Sequence, residues 1–197
     1  MRYAAMLLAC ALGNGSASAD TSRPFTHDNP QVRVRPTSAL GRKVIDAGVA
    51  RSMTFRRLVQ RLESSDVIVY VQMRPNMPSD IGGLVEFMGG GGAYRYLRVS
   101  VGSAHHQSVM VALLGHELQH AAEVANEPGV QTAEAFAEFY RRTGLPTGAG
   151  RYDSLAAQSA GRTVQAELRS RPSDSRVARH ASTEEALLDG GGSIAMP

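Results

Sequence analysis

The pattern of apolar and polar residues predicts five helices. In each of them, apolar side chains recur three or four positions apart, so that they share one face. Ser38 and Ser52 each directly precede such a run. A serine at this position caps a helix by accepting a hydrogen bond from a backbone N–H of the first turn. We expect helices over residues 38–49, 52–62, 107–126, 130–142 and 152–170.

Three shorter segments have the pattern of β-strands. Residues 67–71 form an almost continuous β-branched run, which is typical of a buried strand. Residues 84–88 are a second candidate, and residues 94–101 alternate between apolar and polar side chains, as a half-exposed antiparallel strand does. The glycines at 89–92 favour a hairpin turn between the last two strands. Together with the helices, these segments predict an α+β fold with N-terminal helices and a small, mostly antiparallel sheet.

The predicted helix at 107–126 is apolar on nearly all sides, so we expect it to be buried. It contains H-E-x-x-H, in which His116 and His120 stand four residues apart and Glu117 follows the first histidine. On a helix, such histidines lie about 40° apart around the axis and roughly 6 Å apart along it, so both imidazoles can reach one divalent ion. Glu117 lies at the side of that face, where a carboxylate can contact a metal-activated water without binding the metal. Zinc catalysis requires this arrangement, so the motif predicts a catalytic zinc site. The alternative is a structural role, in which the histidines of a buried helix contact backbone or carboxylate groups.

The motif and its uncharged flanks resemble those of the zincin metallopeptidases. The resemblance implies a zincin-like fold, in which a helix and a twisted sheet precede the motif helix, with His116 and His120 as zinc ligands and Glu117 as general base. Residues 115–124 are also similar to a group of uncharacterised exported bacterial proteins that carry H-E-L-Q-H-A-x-E-V. In that group a Phe/Tyr-Glu-Thr segment follows and opens a helix, and residues 152–154, Tyr-Asp-Ser, occupy its place in this chain.

The third metal ligand is left open by the residues themselves. The pattern of the metzincins is absent, because Glu123 and Asn126 occupy the positions of its glycine and last histidine. Glu123 lies on the same face as His120 and suits a role in orienting that histidine. Glu134 and Glu138, on the next predicted helix, are further candidates if that helix folds back antiparallel.

Asp153 is the candidate that the resemblance favours. It matches the glutamate of the Tyr-Glu-Thr segment, although its side chain is one methylene shorter. The alternative role for Asp153 is to cap the helix predicted at 152–170, which aspartate does well. The resemblance covers roughly residues 40–170 and is specific around the motif.

The N-terminus has the features of an export signal. Arg2 is followed by a short apolar run and then by Ala-Ser-Ala, which is typical of a cleavage site after Ala19. We therefore expect a signal peptide at 1–19 and an exported protein, periplasmic or extracellular, with no stable membrane insertion after cleavage. Lipid anchoring at Cys10 is not expected, since too little apolar sequence precedes it. Cys10 is the only cysteine, so any zinc in the mature chain must be bound by histidines and carboxylates.

The remaining sequence divides into three parts. Residues 20–37 are polar and carry three prolines, which predicts a flexible leader. Residues 38–171 contain the predicted helices and strands and form the expected zincin-like domain. Residues 172–197 are polar and glycine-rich, which predicts a disordered tail.

We therefore expect an exported zinc-dependent metallopeptidase that binds Zn²⁺ through His116, His120 and Asp153 and uses Glu117 as the base. Its partner would be a peptide or protein substrate, held by edge pairing on the strand at 94–101. The alternative is a catalytically inactive exported metal-binding or interaction domain on the same frame, which the aspartate at 153 favours. Nucleic-acid binding is not expected, because the net charge is +3 and no basic stripe carries interleaved aromatic residues. The sequence makes no prediction of the oligomeric state.

Overall fold

The computed structural model describes residues 32–78, 81–148 and 150–170. In chain order the elements are β1 (Val34–Pro36), α1 (Ala39–Arg51), α2 (Met53–Glu63), β2 (Val67–Arg74), β3 (Gly83–Gly91), β4 (Tyr94–Gly102), α3 (Gln107–Ala125), α4 (Ala133–Thr143), β5 (Leu145–Gly148), β6 (Arg151–Asp153) and α5 (Leu155–Arg169). The fold is α+β, as predicted. The predicted signal peptide, most of the predicted leader and the predicted tail at 172–197 lie outside the described residues. Within the described residues, no helix is both long enough and apolar enough to cross a membrane.

The predicted helices are all present and differ from the predictions only near their ends. Ser38 and Ser52 cap α1 and α2 as predicted, each accepting a hydrogen bond from a backbone N–H of the first turn. The helices α4 and α5 begin later than predicted, because their N-caps are Thr132 and Ser154. Side-chain oxygens at these positions satisfy N–H groups that have no partner within the helix.

The main sheet is mixed, and the prediction of a mostly antiparallel sheet is wrong. The strand order is β1-β2-β4-β3, in which β1 and β4 run parallel to β2, and β3 runs antiparallel to β4. The predicted hairpin turn between β3 and β4 is present, with Gly92 at a φ of +60°. The hairpin places β4 rather than β3 beside β2. An alternating pattern shows which side chains face the core and does not show which strand is the neighbour.

The strand β1 corrects the prediction of a flexible leader at 20–37. It pairs with β2 over three residues, with Val34 opposite Val69 and Pro36 opposite Val71. Val34 is buried in the core. A strand this short carries too little alternation to be detected, and a proline within it favours the prediction of a loop.

The strand β4 is not an edge strand, so the prediction that it holds a peptide by edge pairing is wrong. It pairs with β2 on one side and with β3 on the other. Its inward residues Leu97, Val99 and Val101 are fully buried. The edge of the main sheet on this side is β3.

The helix α3 lies close to α5 because two glycines remove side chains from the contact. A Cβ atom at Gly115 would lie 2.9 Å from Cγ2 of Val164, and one at Gly161 would lie 3.2 Å from Cβ of His116. A side chain at Gly115 would force Val164 to shift, and one at Gly161 would require His116 to move by a few tenths of an ångström. The glycines therefore allow the start of α5 to lie beside the H-E-x-x-H motif.

Arg95 is a buried arginine that connects the end of α3 to the sheet. It is 2% exposed. Its guanidinium donates hydrogen bonds of 2.8 and 2.7 Å to the carboxylate of Asp66, and the bond to Arg95 is the main reason that the pKa of Asp66 is lowered. It also donates to the carbonyl oxygens of Val124 at 2.8 Å and of Glu127 at 2.7 Å. A cation is favourable there, because the last carbonyl groups of a helix lack partners within it.

We expect Arg95→Met to lower the free energy of unfolding by about 3 kcal/mol, because it leaves buried carbonyl groups without donors. Arg98→Met is the matched control on the same strand. Arg98 pairs with Glu86 at 2.9 Å, but the two side chains are 38% and 35% exposed, so the loss should stay below about 1 kcal/mol. Urea unfolding at pH 7 measures both. Equal losses for the two variants would contradict this account of Arg95.

Candidate metal centre

Three side chains from two parts of the chain converge at one point. His116 and His120 extend from α3, and Asp153 extends from the end of β6. Asp153 Oδ1 lies 3.1 Å from His116 Nε2 and 3.2 Å from His120 Nε2. The potential ligand atoms of the three residues all lie within 4.8 Å of one another.

The spacing of these atoms fits a small divalent ion. A tetrahedral ion with bonds of about 2.0 to 2.2 Å requires ligand atoms about 3.3 to 3.6 Å apart, which is close to the two distances observed. The side chain of His116 is 23% exposed and that of Asp153 is 19% exposed, so the point of convergence is accessible from the surface. Two imidazoles and one carboxylate suit zinc and also other divalent transition metals, so the donor set does not identify the ion.

Asp153 is held by residues that follow it, and it does not cap α5. The backbone N–H of Ser154 donates to Asp153 Oδ1 at 2.7 Å, and Gln158 Nε2 donates to Oδ2 at 3.1 Å. The helix cap is Ser154, whose hydroxyl accepts from the N–H of Ala157. The alternative role of Asp153 as an N-cap is therefore wrong.

The glutamates of α4 lie away from the histidines. Glu134 and Glu138 are both exposed. The carboxylate of Glu138 pairs with Arg141 at 2.6 and 2.7 Å, and this hydrogen bonding is the main reason that the pKa of Glu138 is lowered. Among the described residues, Asp153 is the carboxylate that joins the two histidines in a group with metal-binding spacing.

Glu123 contacts His120 in the orienting position that the sequence predicted. Its Oε2 lies 3.0 Å from His120 Nδ1. A carboxylate accepts this bond, so Nδ1 carries a proton, and Nε2, which faces the point of convergence, is the nitrogen available to a metal. Burial alone would raise the pKa of Glu123, but hydrogen bonds from His120 and Ser154 outweigh it and the pKa is lowered.

The pKa values of the two histidines move in opposite directions. Burial lowers the pKa of His116, and the charge of Asp153 only partly offsets this. Burial also acts to lower the pKa of His120, but the hydrogen bond to Glu123 and the surrounding carboxylates outweigh it and raise the pKa. Because a metal competes with protons for both imidazoles, its affinity should depend on pH.

Glu117 lines the same cleft as His116, His120 and Asp153, but it is not one of the candidate metal ligands. It is 5% exposed, and its carboxylate packs so closely against Gly83 of β3 that a side chain at position 83 would overlap it. Burial raises the pKa of Glu117 to about 8; His120 opposes the rise and Asp153 adds to it. A divalent cation nearby would favour the ionised form and lower this pKa. Glu117 is thus placed to act as a base when a cation is bound.

These residues are part of the lining of an open cleft with a volume of about 450 Å³. The lining includes partly exposed apolar residues of β3, α3, α4 and the segment before β3, namely Ile81, Leu84, Val85, Leu113 and Phe136. It also includes residues of the β5–β6 hairpin, which ends at Asp153. This volume lies within the usual range of ligand-binding clefts, and both histidines are part of the lining.

Two residues that support the site were not among the predicted site residues. The first is Tyr140 of α4, whose hydroxyl lies 3.1 Å from the carbonyl oxygen of His120 and 3.3 Å from Glu123 Oε2. Burial raises the pKa of Tyr140, so the hydroxyl is a donor. A tyrosine on a buried helix face signals a hydroxyl that needs a partner. The second is Ser154, which directly follows Asp153 and donates to Glu123 Oε1 at 2.6 Å. No pattern in the sequence indicated this contact.

Comparisons with known proteins found no match: the chain matches no protein-family model, no curated protein and no solved structure. The resemblance to zincins rests on the motif and its flanks, so the geometry of the cleft is the main support for a functional proposal.

We expect the stability of the metal-free protein to depend on the ionisation of Glu117. The folded-state pKa is about 8 and the ordinary value is 4.5, so the protonated form stabilises the fold. This contribution is complete below about pH 4.5 and is lost as the pH rises through about 8. Glu117→Gln cannot ionise and should not show this loss.

Urea unfolding in the presence of a chelator, from pH 5 to 9, measures the difference between wild type and Glu117→Gln. Relative to the variant, wild type should lose on the order of 4 kcal/mol across this range. The histidines titrate in both proteins and largely cancel in the difference. Two parallel stability curves would show that Glu117 does not have a raised pKa in the folded protein.

Proposed function

We propose that this chain is an exported, zinc-dependent metallopeptidase with a zincin-like fold. The observation that carries the proposal is the convergence of Asp153 Oδ1 with Nε2 of His116 and His120, directly beside the buried carboxylate of Glu117. An accessible group of three ligands with a base next to it is the arrangement of a catalytic rather than a closed structural zinc site.

Each residue has a role that follows from its position. His116, His120 and Asp153 would hold Zn²⁺, which when bound supplies a Lewis acid that acidifies water and polarises a carbonyl group. Glu117 takes a proton from the attacking water and passes it to the leaving amine. Glu123 keeps His120 in the tautomer whose Nε2 can bind metal.

The cleft supports a peptide as the substrate. The first residues of β3, from Gly83 to Val85, line the cleft at the edge of the main sheet. An edge strand offers backbone groups to which an extended peptide can pair, so β3 takes the part that the sequence analysis gave to β4. The apolar side of the cleft would contact side chains of that peptide.

The proposal of export rests on the sequence. The apolar run and the Ala-Ser-Ala site before residue 20 support export to the periplasm or the extracellular space.

The competing proposal, an inactive metal-binding or interaction domain, was favoured by the short side chain of Asp153. That side chain reaches both histidines, so its length does not count against a metal site, and the two proposals differ in whether Glu117 acts as a base.

We expect the full chain to bind about one Zn²⁺, as a mononuclear site requires. Asp153→Ala should weaken binding by at least about 100-fold, because it removes one of three protein ligands. Glu138→Ala, which removes an exposed carboxylate of α4, is the matched control and should bind as wild type does. Elemental analysis after dialysis and competition with a chelator measure stoichiometry and affinity. A wild-type chain without stoichiometric zinc would rule out the metal centre.

We expect the zinc-loaded chain to hydrolyse unstructured protein or peptide substrates. Glu117→Gln should retain zinc but lose about 10² to 10⁴-fold in kcat, because the base is gone while the metal ligands remain. Glu134→Gln should keep full activity, since Glu134 is exposed and outside the cleft lining. Hydrolysis of a mixed peptide library, followed by mass spectrometry, tests this. Equal rates for wild type and Glu117→Gln would favour the non-enzymatic metal-binding domain.

A further inference from the structure

Ser154 is the point at which the candidate third ligand, the start of α5 and the carboxylate behind His120 meet. We propose that Ser154 is a positioning residue that fixes Asp153 and His120 together and thereby sets the metal affinity of the site. The proposal rests on the metal centre proposed above and assigns Ser154 a role beyond that of a helix cap.

The first contact of Ser154 is with Asp153. Its backbone N–H donates at 2.7 Å to Oδ1, the same oxygen that lies near both histidines. Ser154 is also the N-cap residue of α5 and has an extended backbone, with φ −116° and ψ 148°. The hydroxyl supports that conformation by accepting from the N–H of Ala157 at 3.0 Å. The backbone N–H of Ser154 therefore orients the carboxylate that would bind the metal, and the hydroxyl anchors that backbone to α5.

The second contact of Ser154 is with Glu123. The hydroxyl donates to Glu123 Oε1 at 2.6 Å, and the other oxygen, Oε2, lies 3.0 Å from His120 Nδ1. A hydroxyl has one proton and two lone pairs, so it can donate to Glu123 and accept from Ala157 at the same time. The side chain of Glu123 is 16% exposed, and little water is available to replace this donor. Without the hydroxyl, Glu123 keeps its contacts with His120 and Tyr140 through Oε2 but loses the donor at Oε1. The carboxylate should then be held less firmly and should orient His120 less well.

A role as a helix cap alone makes a different prediction. Loss of a cap destabilises the helix wherever the cap lies, without a specific effect on the metal. Loss of a partner that orients a ligand typically lowers metal affinity by about 10 to 100-fold. Ser38 provides the comparison, because its hydroxyl also caps a helix, accepting from the N–H of Gly41 at 3.1 Å, and Ser38 does not line the cleft.

The experiment measures two quantities in the full chain, the Kd for Zn²⁺ by chelator competition and the Tm of the metal-free protein. We expect Ser154→Ala and Ser38→Ala each to lower the Tm by about 3 to 6 °C. Only Ser154→Ala should raise the Kd, by about 10 to 100-fold. Ser154→Thr keeps the hydroxyl and should restore the wild-type Kd.

A double-mutant cycle tests whether the hydroxyl acts through Glu123. Glu123→Gln leaves the cap in place and should by itself raise the Kd, and adding Ser154→Ala should then change the Kd by less than about 3-fold. If Ser154→Ala does not fold, an unchanged Kd in Glu123→Gln overturns the proposal.

The outcomes separate this inference from the proposed function. If wild type binds zinc and Ser154→Ala binds it as tightly as Ser38→Ala does, Ser154 is only a cap and the metallopeptidase proposal stands. If wild type binds no zinc, both proposals fail. A raised Kd in Ser154→Ala that Ser154→Thr does not restore also overturns the positioning role.

Discussion

The burial of α3 is the constraint on which the rest of the structure depends. A helix surrounded by apolar contacts must find partners inside the protein for every polar group it carries. At its C-terminal end, carbonyl groups are satisfied by the buried guanidinium of Arg95. Along its length, His120 is satisfied by Glu123, and Glu117 is placed against the backbone of β3. Several of the buried polar contacts of the fold therefore involve this one helix.

The contact between α3 and α5 turns this constraint into a candidate site. The glycines at 115 and 161 allow the two helices to approach closely, so the start of α5 lies beside the histidines. The two residues before α5, Asp153 and Ser154, then supply a carboxylate to the histidines and a donor to Glu123. Helix capping and ligand placement are thus performed by the same short segment, which connects the stability of α5 with the geometry of the cleft.

Local signals in the sequence predicted local structure well. The caps at Ser38 and Ser52, the hairpin turn and the five helices are confirmed, because each depends on residues close together in the chain. The strand order was wrong because it depends on which surfaces pack together. The same limit applies to β1 and to the edge strand, since an alternating pattern is the same in an edge strand and in an inner one.

For the candidate site, the sequence by itself determined the relation of His116, Glu117 and His120. Their spacing on a helix fixes which side chains share a face, whatever the surrounding fold. Only the tertiary structure decided which carboxylate joins the histidines, because Glu134, Glu138 and Asp153 lie on other elements. Their distances from α3 depend on how α4 and the β5–β6 hairpin pack, and the packing brings Asp153 to the histidines and leaves the two glutamates at the surface.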